Sequence, residues 1–176
     1  LIMKTFIRFL VVGLLVVSYT SCDKIDELTE VDFSTTLNEQ LDVNVLAGED
    51  LALNRTLLIN MVNNDTEDYL DVLKNVRITS FRYQLTNFTG DVNGIITGNL
   101  VADGVELLHH NMVVKQTVDA VTVFEVTNTA LLNSIASKLK AGNGVLIGIV
   151  GESSCEDAMG FTINITIDLE VTADVL

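Results

Sequence analysis

Fifteen residues near the C-terminus, FTINITIDLEVTADV, alternate between apolar and polar side chains without an exception. The apolar residues take every odd position from Phe161 to Val175, while Thr, Asn, Asp and Glu take the even ones. Because successive side chains of a β-strand point to opposite faces, this pattern predicts a strand with one buried and one wet face. At about 3.3 Å per residue it would be roughly 50 Å long, so we expect a bend or break within it.

Shorter alternating segments predict further strands. Val31 and Phe33 share one face of TEVDFSTTL, the segment LDVNV (41–45) alternates in the same way, and RTLLINMV alternates through residues 57–61. In VRITSFRYQLTNF the apolar residues change from even to odd positions near Thr79-Ser80, which predicts a β-bulge there.

Turn signals and an apolar run complete the strand prediction. Asn93-Gly94 and Asp103-Gly104 are typical hairpin turns, and they enclose a strand predicted at 95–102. The continuously apolar GVLIGIV (144–150) predicts a strand that is buried on both faces.

Two segments have helical character instead. TEDYLDVLKN predicts a helix near 66–75 with acidic residues in its first turn. NTALLNSIASKLKAG predicts another near 129–141, with Asn128 as its N-cap and Gly142 at its end. Each spans roughly 12 Å, close to the ~10 Å between packed sheets. We therefore predict an all-β fold, an antiparallel β-sandwich of about eight or nine strands with these two helices as crossovers.

The N-terminus has the three parts of a secretory signal: basic Lys4 and Arg8, the apolar run FLVVGLLVV (9–17), and small polar residues before Cys22. The apolar run is too short to span a membrane. Thr20-Ser21-Cys22 resembles the lipobox of bacterial lipoproteins. That resemblance implies cleavage of a signal peptide at 1–21 and lipidation of Cys22, with ~0.8 kcal/mol of membrane binding per buried CH2. The alternative is a secretory signal with an incidental cysteine.

The segment after Cys22 is acidic and lacks apolar periodicity, so 22–30 is predicted to be a flexible tether and 31–176 a single sandwich domain. The chain has 10 Lys+Arg and 24 Asp+Glu; residues 1–21 hold two of the basic residues and none of the acidic ones, so the mature chain carries a formal charge of −16. This charge excludes nucleic acid as a partner.

Few residues are candidates for a catalytic or metal-binding role. His109 and His110 are adjacent and would point to opposite faces of a strand, so we predict surface or rim histidines and no zinc site. Cys155 is predicted to be buried and inert at the start of a strand. Weak calcium candidates occur in Asp- and Asn-rich loops, although helix capping and turn chemistry explain the same residues: Asp65, Glu67, Asp91 and Asn93.

The sequence resembles the small all-β lipoproteins of the Bacteroidota in Cys22 with its acidic DKIDE, in YLDVLKNVRITSFRYQLTNFTGD, and in the alternating last strand. The resemblance implies a lipid-anchored β-sandwich at the outer membrane, facing the surface or the periplasm, and transfers no site residues. We predict a non-enzymatic binding or structural role without a cofactor, with an envelope protein or glycan as partner. The alternatives are a carbohydrate-binding accessory module and a cell-envelope hydrolase.

Overall fold

The computed structural model describes residues 29–175. Eight strands form two four-stranded antiparallel sheets. Sheet I has the order β1-β8-β3-β6, and sheet II has the order β2-β7-β4-β5. The strands are β1 (Glu30–Val45), β2 (Gly48–Ile59), β3 (Leu73–Gly90), β4 (Ile95–Ala102), β5 (Val105–Val113), β6 (Val123–Glu125), β7 (Val145–Cys155) and β8 (Met159–Asp174). The predicted all-β sandwich is confirmed.

Nearly every connection crosses from one sheet to the other. The exception among the described residues is the β4–β5 hairpin, where Asp103 and Gly104 have φ angles of 48° and 79°. These left-handed values are those of a two-residue turn suited to twisted strands, and the hairpin predicted there is confirmed. Eight strands in this order form a jelly roll.

The last strand lies in the middle of sheet I. β8 pairs with β1 from Glu30↔Asp174 to Val45↔Met159 without a register shift, and β3 lies on its other side. Of the expected bend or break in β8, the break is therefore wrong, and a bend stays a prediction. The alternation is confirmed, since all its odd residues from Phe161 to Ala173 are buried. The segments TEVDFSTTL and LDVNV belong to one strand, β1, which begins at Glu30, the last residue of the predicted tether.

The hydrophobic core fills the space between the sheets. β8 contributes Ile163, Ile165 and Ile167, each about 1% exposed, and facing β7 contributes Ile147 and Ile149. The β-bulge predicted in β3 is confirmed, because its register against β8 shifts between Ile78 and Ser80. That extra residue turns the later apolar side chains of β3 towards the same core.

Three short helices connect the sheets. The segment predicted as a helix at 66–75 is a 3-10 helix at Glu67–Val72, and Leu73 already begins β3. Helix α1 (Val114–Asp119) was not predicted. Helix α2 (Thr129–Lys140) confirms the second prediction, with the Asn128 side chain accepting hydrogen bonds from the Ala130 and Leu131 amides.

Two strand-level predictions are wrong. Asn93-Gly94 forms a turn between β3 and β4, which lie in different sheets, so it makes no hairpin. β7 is not buried on both faces, because Leu146 is 45% exposed and Val150 is 38% exposed. The strand occupies the interior of sheet II, yet its outer side is not covered by any described element.

Candidate functional site

The predicted signal peptide at 1–21, the lipidated Cys22 and most of the tether lie outside the described residues. Their predictions stay as they are. Within residues 29–175 no helix is long and apolar enough to cross a membrane.

The calcium candidates lie in two separate places. Asp65 and Glu67 precede β3, whereas Asp91 and Asn93 follow it, and an 18-residue strand lies between the pairs. Residues 29–175 contain no group of three or more His, Cys, Asp or Glu side chains placed to hold a metal ion. Hydrogen bonds within their own loops account for these residues.

In the first loop Asp65 does not cap the 3-10 helix, whose N-cap residue is Thr66 without a side-chain capping hydrogen bond; the loop is held instead by a turn at Asn63. The Asn63 Oδ1 atom accepts from the Asp65 and Thr66 amides at 3.0 Å each. The Asp65 carboxylate accepts from the buried Thr35 hydroxyl at 2.9 Å, so it ties this loop to β1.

In the second loop the Asp91 carboxylate connects the turn between β3 and β4 with the turn between β7 and β8. One carboxylate oxygen accepts from the Asn93 amide at 2.8 Å, and the other accepts from the Glu156 amide at 2.6 Å. These two backbone hydrogen bonds lower the pKa of Asp91 below its ordinary value. A cavity of about 380 Å³ lies beside it, with Glu49 and Cys155 in its lining.

The adjacent histidines point to opposite faces, as predicted, but the prediction that both lie at the surface is wrong. His109 is exposed, and its Nδ1–H donates to the Asn99 side-chain oxygen at 2.7 Å. His110 is 8% exposed, because it points between the sheets. Its Nε2 atom accepts from the Tyr83 hydroxyl, and Phe124 packs edge-on against it with centroids 4.7 Å apart. Burial, and then His109, lower the pKa of His110, and burial raises that of Tyr83.

Cys155 is buried, as predicted, but it ends β7 instead of starting a strand. Its thiol donates to the Leu46 carbonyl oxygen at 3.2 Å. Burial, and then the nearby Asp91 carboxylate, raise the pKa of this thiol. A thiol held protonated is a poor nucleophile, so a structural role fits it.

The outer face of sheet I is polar, and its polar side chains bond to one another. Along β8, each even residue from Thr162 to Thr172 has a hydrogen-bonded side chain on β1 or β3. Thr162 donates to Asp42 at 2.8 Å, Thr172 donates to Asp32 at 2.7 Å, and Asp168 pairs with Arg82 at 2.7 Å. The remaining links are Asn87–Thr162, Asn164–Thr86, Thr166–Asn38, Thr36–Asp168 and Arg77–Glu170.

The outer face of sheet II is different, and we call it the neutral face. Its centre is made of apolar, hydroxyl, amide and glycine residues. They lie in rows set by the register: Asn54, Val150 and Asn99; Thr56, Gly148 and Val101; Leu58 and Leu146. His109 on β5 continues the first row beside Asn99, and carboxylates border these rows: Glu106 lies opposite Val101, and Glu152 follows Val150 on the same side of β7. Within residues 29–175 the side chains of Asn54 and Thr56 make no hydrogen bond.

Aromatic side chains are absent from the neutral face. The aromatic residues of the described chain lie on the strands of sheet I or on the 3-10 helix: Phe33, Tyr69, Phe81, Tyr83, Phe88, Phe124 and Phe161. Sequence analysis missed this face because the exposed side of GVLIGIV is as apolar as its buried side. The glycines at 148 and 151 are the signal in the sequence that sets β7 apart.

Comparison with solved structures finds proteins of virus particles. A decameric BFDV capsid protein matches 80% of this chain and 99% of its own, with 12% identity and a TM-score of 0.41. Desmodium yellow mottle tymovirus matches 83% of this chain and 84% of its own, with 16% identity and a TM-score of 0.40. No family model and no curated protein matches the sequence. The fold assignment therefore rests on the strand order.

Proposed function

We propose that this chain is a lipid-anchored lipoprotein of the bacterial cell envelope, whose β-domain binds a protein partner without catalysing a reaction. The observation that carries the proposal is the change at Cys22, where an apolar signal-like run ends in small residues and an acidic segment begins. β1 starts at Glu30, so about eight residues would separate the lipid from the folded domain. That distance keeps the domain next to the membrane surface.

The neutral face supports a binding role. A chain with a formal charge of −14 over its full length leaves the centre of one sheet without charge. Leu58 and Leu146 are exposed register partners there, Val150 is exposed further along the same side of β7, and exposed apolar residues bordered by polar ones are typical of protein-binding surfaces. A glycan-binding role would call for aromatic platforms, which the neutral face lacks.

The lipid anchor is tested on the full-length chain in a Gram-negative host fed an alkynyl fatty acid. The wild-type protein is expected to carry the label and to sediment with membranes. The matched variant, Cys22→Ser, is expected to stay unlabelled and unprocessed, because serine cannot form the thioether. A wild-type protein that is cleaved, unlabelled and released in soluble form would refute the proposal.

The partner is tested by screening the mature domain, residues 23–176, against envelope proteins and glycans. Binding of an envelope protein that is lost in Leu146→Glu supports the proposal. Binding to a glycan array that persists in Leu146→Glu would favour the carbohydrate-binding alternative. Protease treatment of intact cells then separates surface display from periplasmic retention, since a periplasmic domain is cut only after the outer membrane is opened.

A further inference from the structure

Strand β1 has a partner strand on one side only. It lies at the edge of sheet I, and β8 pairs with it along all sixteen residues. In an antiparallel pair alternate residues turn their N–H and C=O groups away from the neighbouring strand, so about half of the β1 backbone groups point outwards. Among residues 29–175, the one hydrogen bond that reaches this backbone from outside β8 comes from Arg55, which donates to the Asn44 carbonyl oxygen at 3.5 Å near the end of the strand. Most of this edge therefore has hydrogen-bonding groups available to an added strand.

The other edge strands have features that hinder such addition, and β1 has few of them. β6 is three residues long, and the register shifts once between β2 and β7 and once between β5 and β4. β1 keeps its register from end to end and contains no proline, lysine or arginine. An unshifted edge of this length is a place where an extended chain can add to a sheet.

One protective feature is present on β1, and it restricts which chain can add. Glu39 shares the inner face of the strand with Leu37 and Leu41 and is half-buried. Within residues 29–175 its carboxylate has no hydrogen-bond or ion-pair partner, and Arg55 on β2 is bound to backbone carbonyl oxygens instead. An added strand would enclose this carboxylate, which is unfavourable unless the strand supplies a positive charge. A second copy adding through its own β1 would bring two acidic strands side by side and is disfavoured.

The outer face beside this edge is also acidic. Asp32 and Asp42 lie on β1 and accept hydrogen bonds from threonine hydroxyls, and neither has a basic partner within the described residues. A cavity of about 360 Å³ opens there, with Asp32 and Ser34 on one side and Glu170 on the other. A lysine or arginine side chain that reached over β1 from an added strand would enter this cavity beside Asp32. Both faces of β1 therefore favour a basic chain.

We infer that β1 is a docking edge for an extended, basic segment of another protein, which adds to sheet I as a further strand. Main-chain hydrogen bonds to β1 would hold the segment. Because successive side chains of a strand point to opposite faces, one set would face Glu39 and the other would face Asp32 and Asp42. This edge is separate from the neutral face, and the inference does not depend on the lipid anchor.

The test measures the binding of synthetic peptides to the purified full-length protein by fluorescence anisotropy. The probe is a peptide of about ten residues that alternates threonine and valine, with a lysine on each of its two faces. Two matched peptides carry glutamine or glutamate in place of lysine. The lysine peptide is expected to bind about ten-fold or more tightly than the glutamine peptide, and the glutamate peptide is expected not to bind.

Backbone methylation separates strand addition from simple attraction between charges. N-methyl groups on amides at both edges of the lysine peptide keep its charge but remove the donors that a sheet edge requires. The methylated peptide is expected to lose binding. Equal binding by the methylated and unmethylated peptides would show charge attraction alone and would overturn the inference.

Two substitutions in the protein locate the site. Glu39→Lys is expected to weaken binding of the lysine peptide about ten-fold or more and to permit binding of the glutamate peptide. Glu106→Lys makes the same charge change on β5, the edge strand of sheet II, and is expected to change either affinity by less than about two-fold. If Glu39→Lys does not fold, Glu39→Gln gives the same comparison, with a several-fold loss of affinity for the lysine peptide.

Three results would overturn the docking edge: no binding of the lysine peptide to the wild-type protein, equal loss in the Glu39 and Glu106 variants, or no loss in either. None of them concerns the lipid label, whose absence would instead refute the proposed function.

Discussion

Strands β8 and β7 occupy equivalent positions, since each lies inside a four-stranded sheet with an antiparallel neighbour on either side. Their inner faces are alike, being rows of buried isoleucine, valine and leucine. Their outer faces differ. β8 presents Thr, Asn, Asp and Glu, each bonded to a side chain on β1 or β3. β7 presents Leu146, Gly148 and Val150 without such partners, and a comparable link occurs only near its end, where Ser154 donates to Asp50 on β2.

This difference shows that the polar side chains of an outer sheet face can be hydrogen-bonded within the domain, or can be left unpaired so that another molecule can bind them. On sheet I, the hydrogen-bonding capacity of the polar groups is largely used by neighbouring strands. On sheet II, exposed Leu58, Leu146 and Val150 favour the displacement of water, and the polar groups of Asn54 and Thr56 are free to bond with another molecule. A binding surface is therefore expected on sheet II, even though sheet I is the more polar of the two.

The largest expected effect tests the two faces of β8. Ile165→Asp places a carboxylate in the core at a position that is 1% exposed, and we expect it to cost at least ~4 kcal/mol or to prevent folding. Thr166→Asp changes the outer face one residue along and loses one hydrogen bond to Asn38, so it should cost about 1 kcal/mol or less. Thermal melts compare the two. Similar destabilisation by both would mean that β8 lacks a distinct outer face.

The next effect concerns Gly148 on β7, where the backbone of β2 lies too close for a side chain. A Cβ atom at Gly148 would lie 2.1 Å from the Arg55 carbonyl oxygen and 2.7 Å from the Thr56 Cα atom. Because both contacts are to backbone, Gly148→Ala should cost about 2–3 kcal/mol by overpacking. Val150→Ala, on the same strand and exposed, is the control and should change stability by about 0.5 kcal/mol. Urea denaturation measures both, and a neutral Gly148→Ala would show that β2 and β7 can move apart.

A smaller effect tests the polar link between the two sheets. Tyr83→Phe removes the hydroxyl that donates to buried His110, and it should cost about 1–2 kcal/mol at pH 7.5. Burial lowers the folded-state pKa of His110 below its ordinary 6.5, so below that pH the unfolded chain takes up a proton that the folded chain resists. The contribution of this group to stability is complete above pH 6.5 and is lost as the pH falls towards the folded-state pKa.

Urea denaturation at pH 7.5, 6.5 and 5.5 checks this sign. The wild type should lose stability over that range, and the double variant Tyr83→Phe/His110→Leu should lose less of it. The pKa values of Asp91 and Asp103 are lowered from 3.8 by their hydrogen bonds, so the contributions of these two groups are lost only in acid stronger than this range. An unchanged pH dependence in the double variant would show that His110 is not its source.

The smallest effect compares one threonine on each outer face. Thr162 donates to Asp42 and accepts from Asn87, so Thr162→Val should cost about 1 kcal/mol. Thr56 lies on the neutral face without a side-chain hydrogen bond, and Thr56→Val should stay within about 0.5 kcal/mol of the wild type. Calorimetric melting temperatures give both values. A reversed order would contradict the distinction between a completed and an open face.

Predictions from the sequence succeeded where one local pattern has one structural meaning. The alternation in β8, the phase change at Ile78–Ser80 and the Asn128 cap are of this kind. They failed where burial depends on distant strands. An apolar run such as GVLIGIV fits either a strand covered on both sides or one with a bare side, and the answer depends on what packs over it. Likewise, the pair His109-His110 predicts opposite faces but not which face is inside.

The neutral face was beyond prediction for the same reason. Its rows combine residues from β2, β7, β4 and β5, and their juxtaposition follows from a register that no short segment encodes. The helix predicted at 66–75 failed differently. Its last three residues begin β3, where Leu73 and Asn75 pair with β8, so tertiary pairing prevailed over local helix preference.

The position of β8 has a consequence for the order in which the chain becomes structured. The hydrogen bond between Asp32 and Thr172 joins residues 140 apart in sequence, and β1 has no other strand beside it in sheet I. The strands of sheet II are complete at residue 155, whereas β1 and β3 gain the strand between them only when the sixteen residues of β8, Met159–Asp174, have been synthesised. Long-range pairing of this kind is slow. Sheet I therefore stays incomplete until β8 has been synthesised, and the polar side chains on the outer face of β1 lack their cross-strand partners until then.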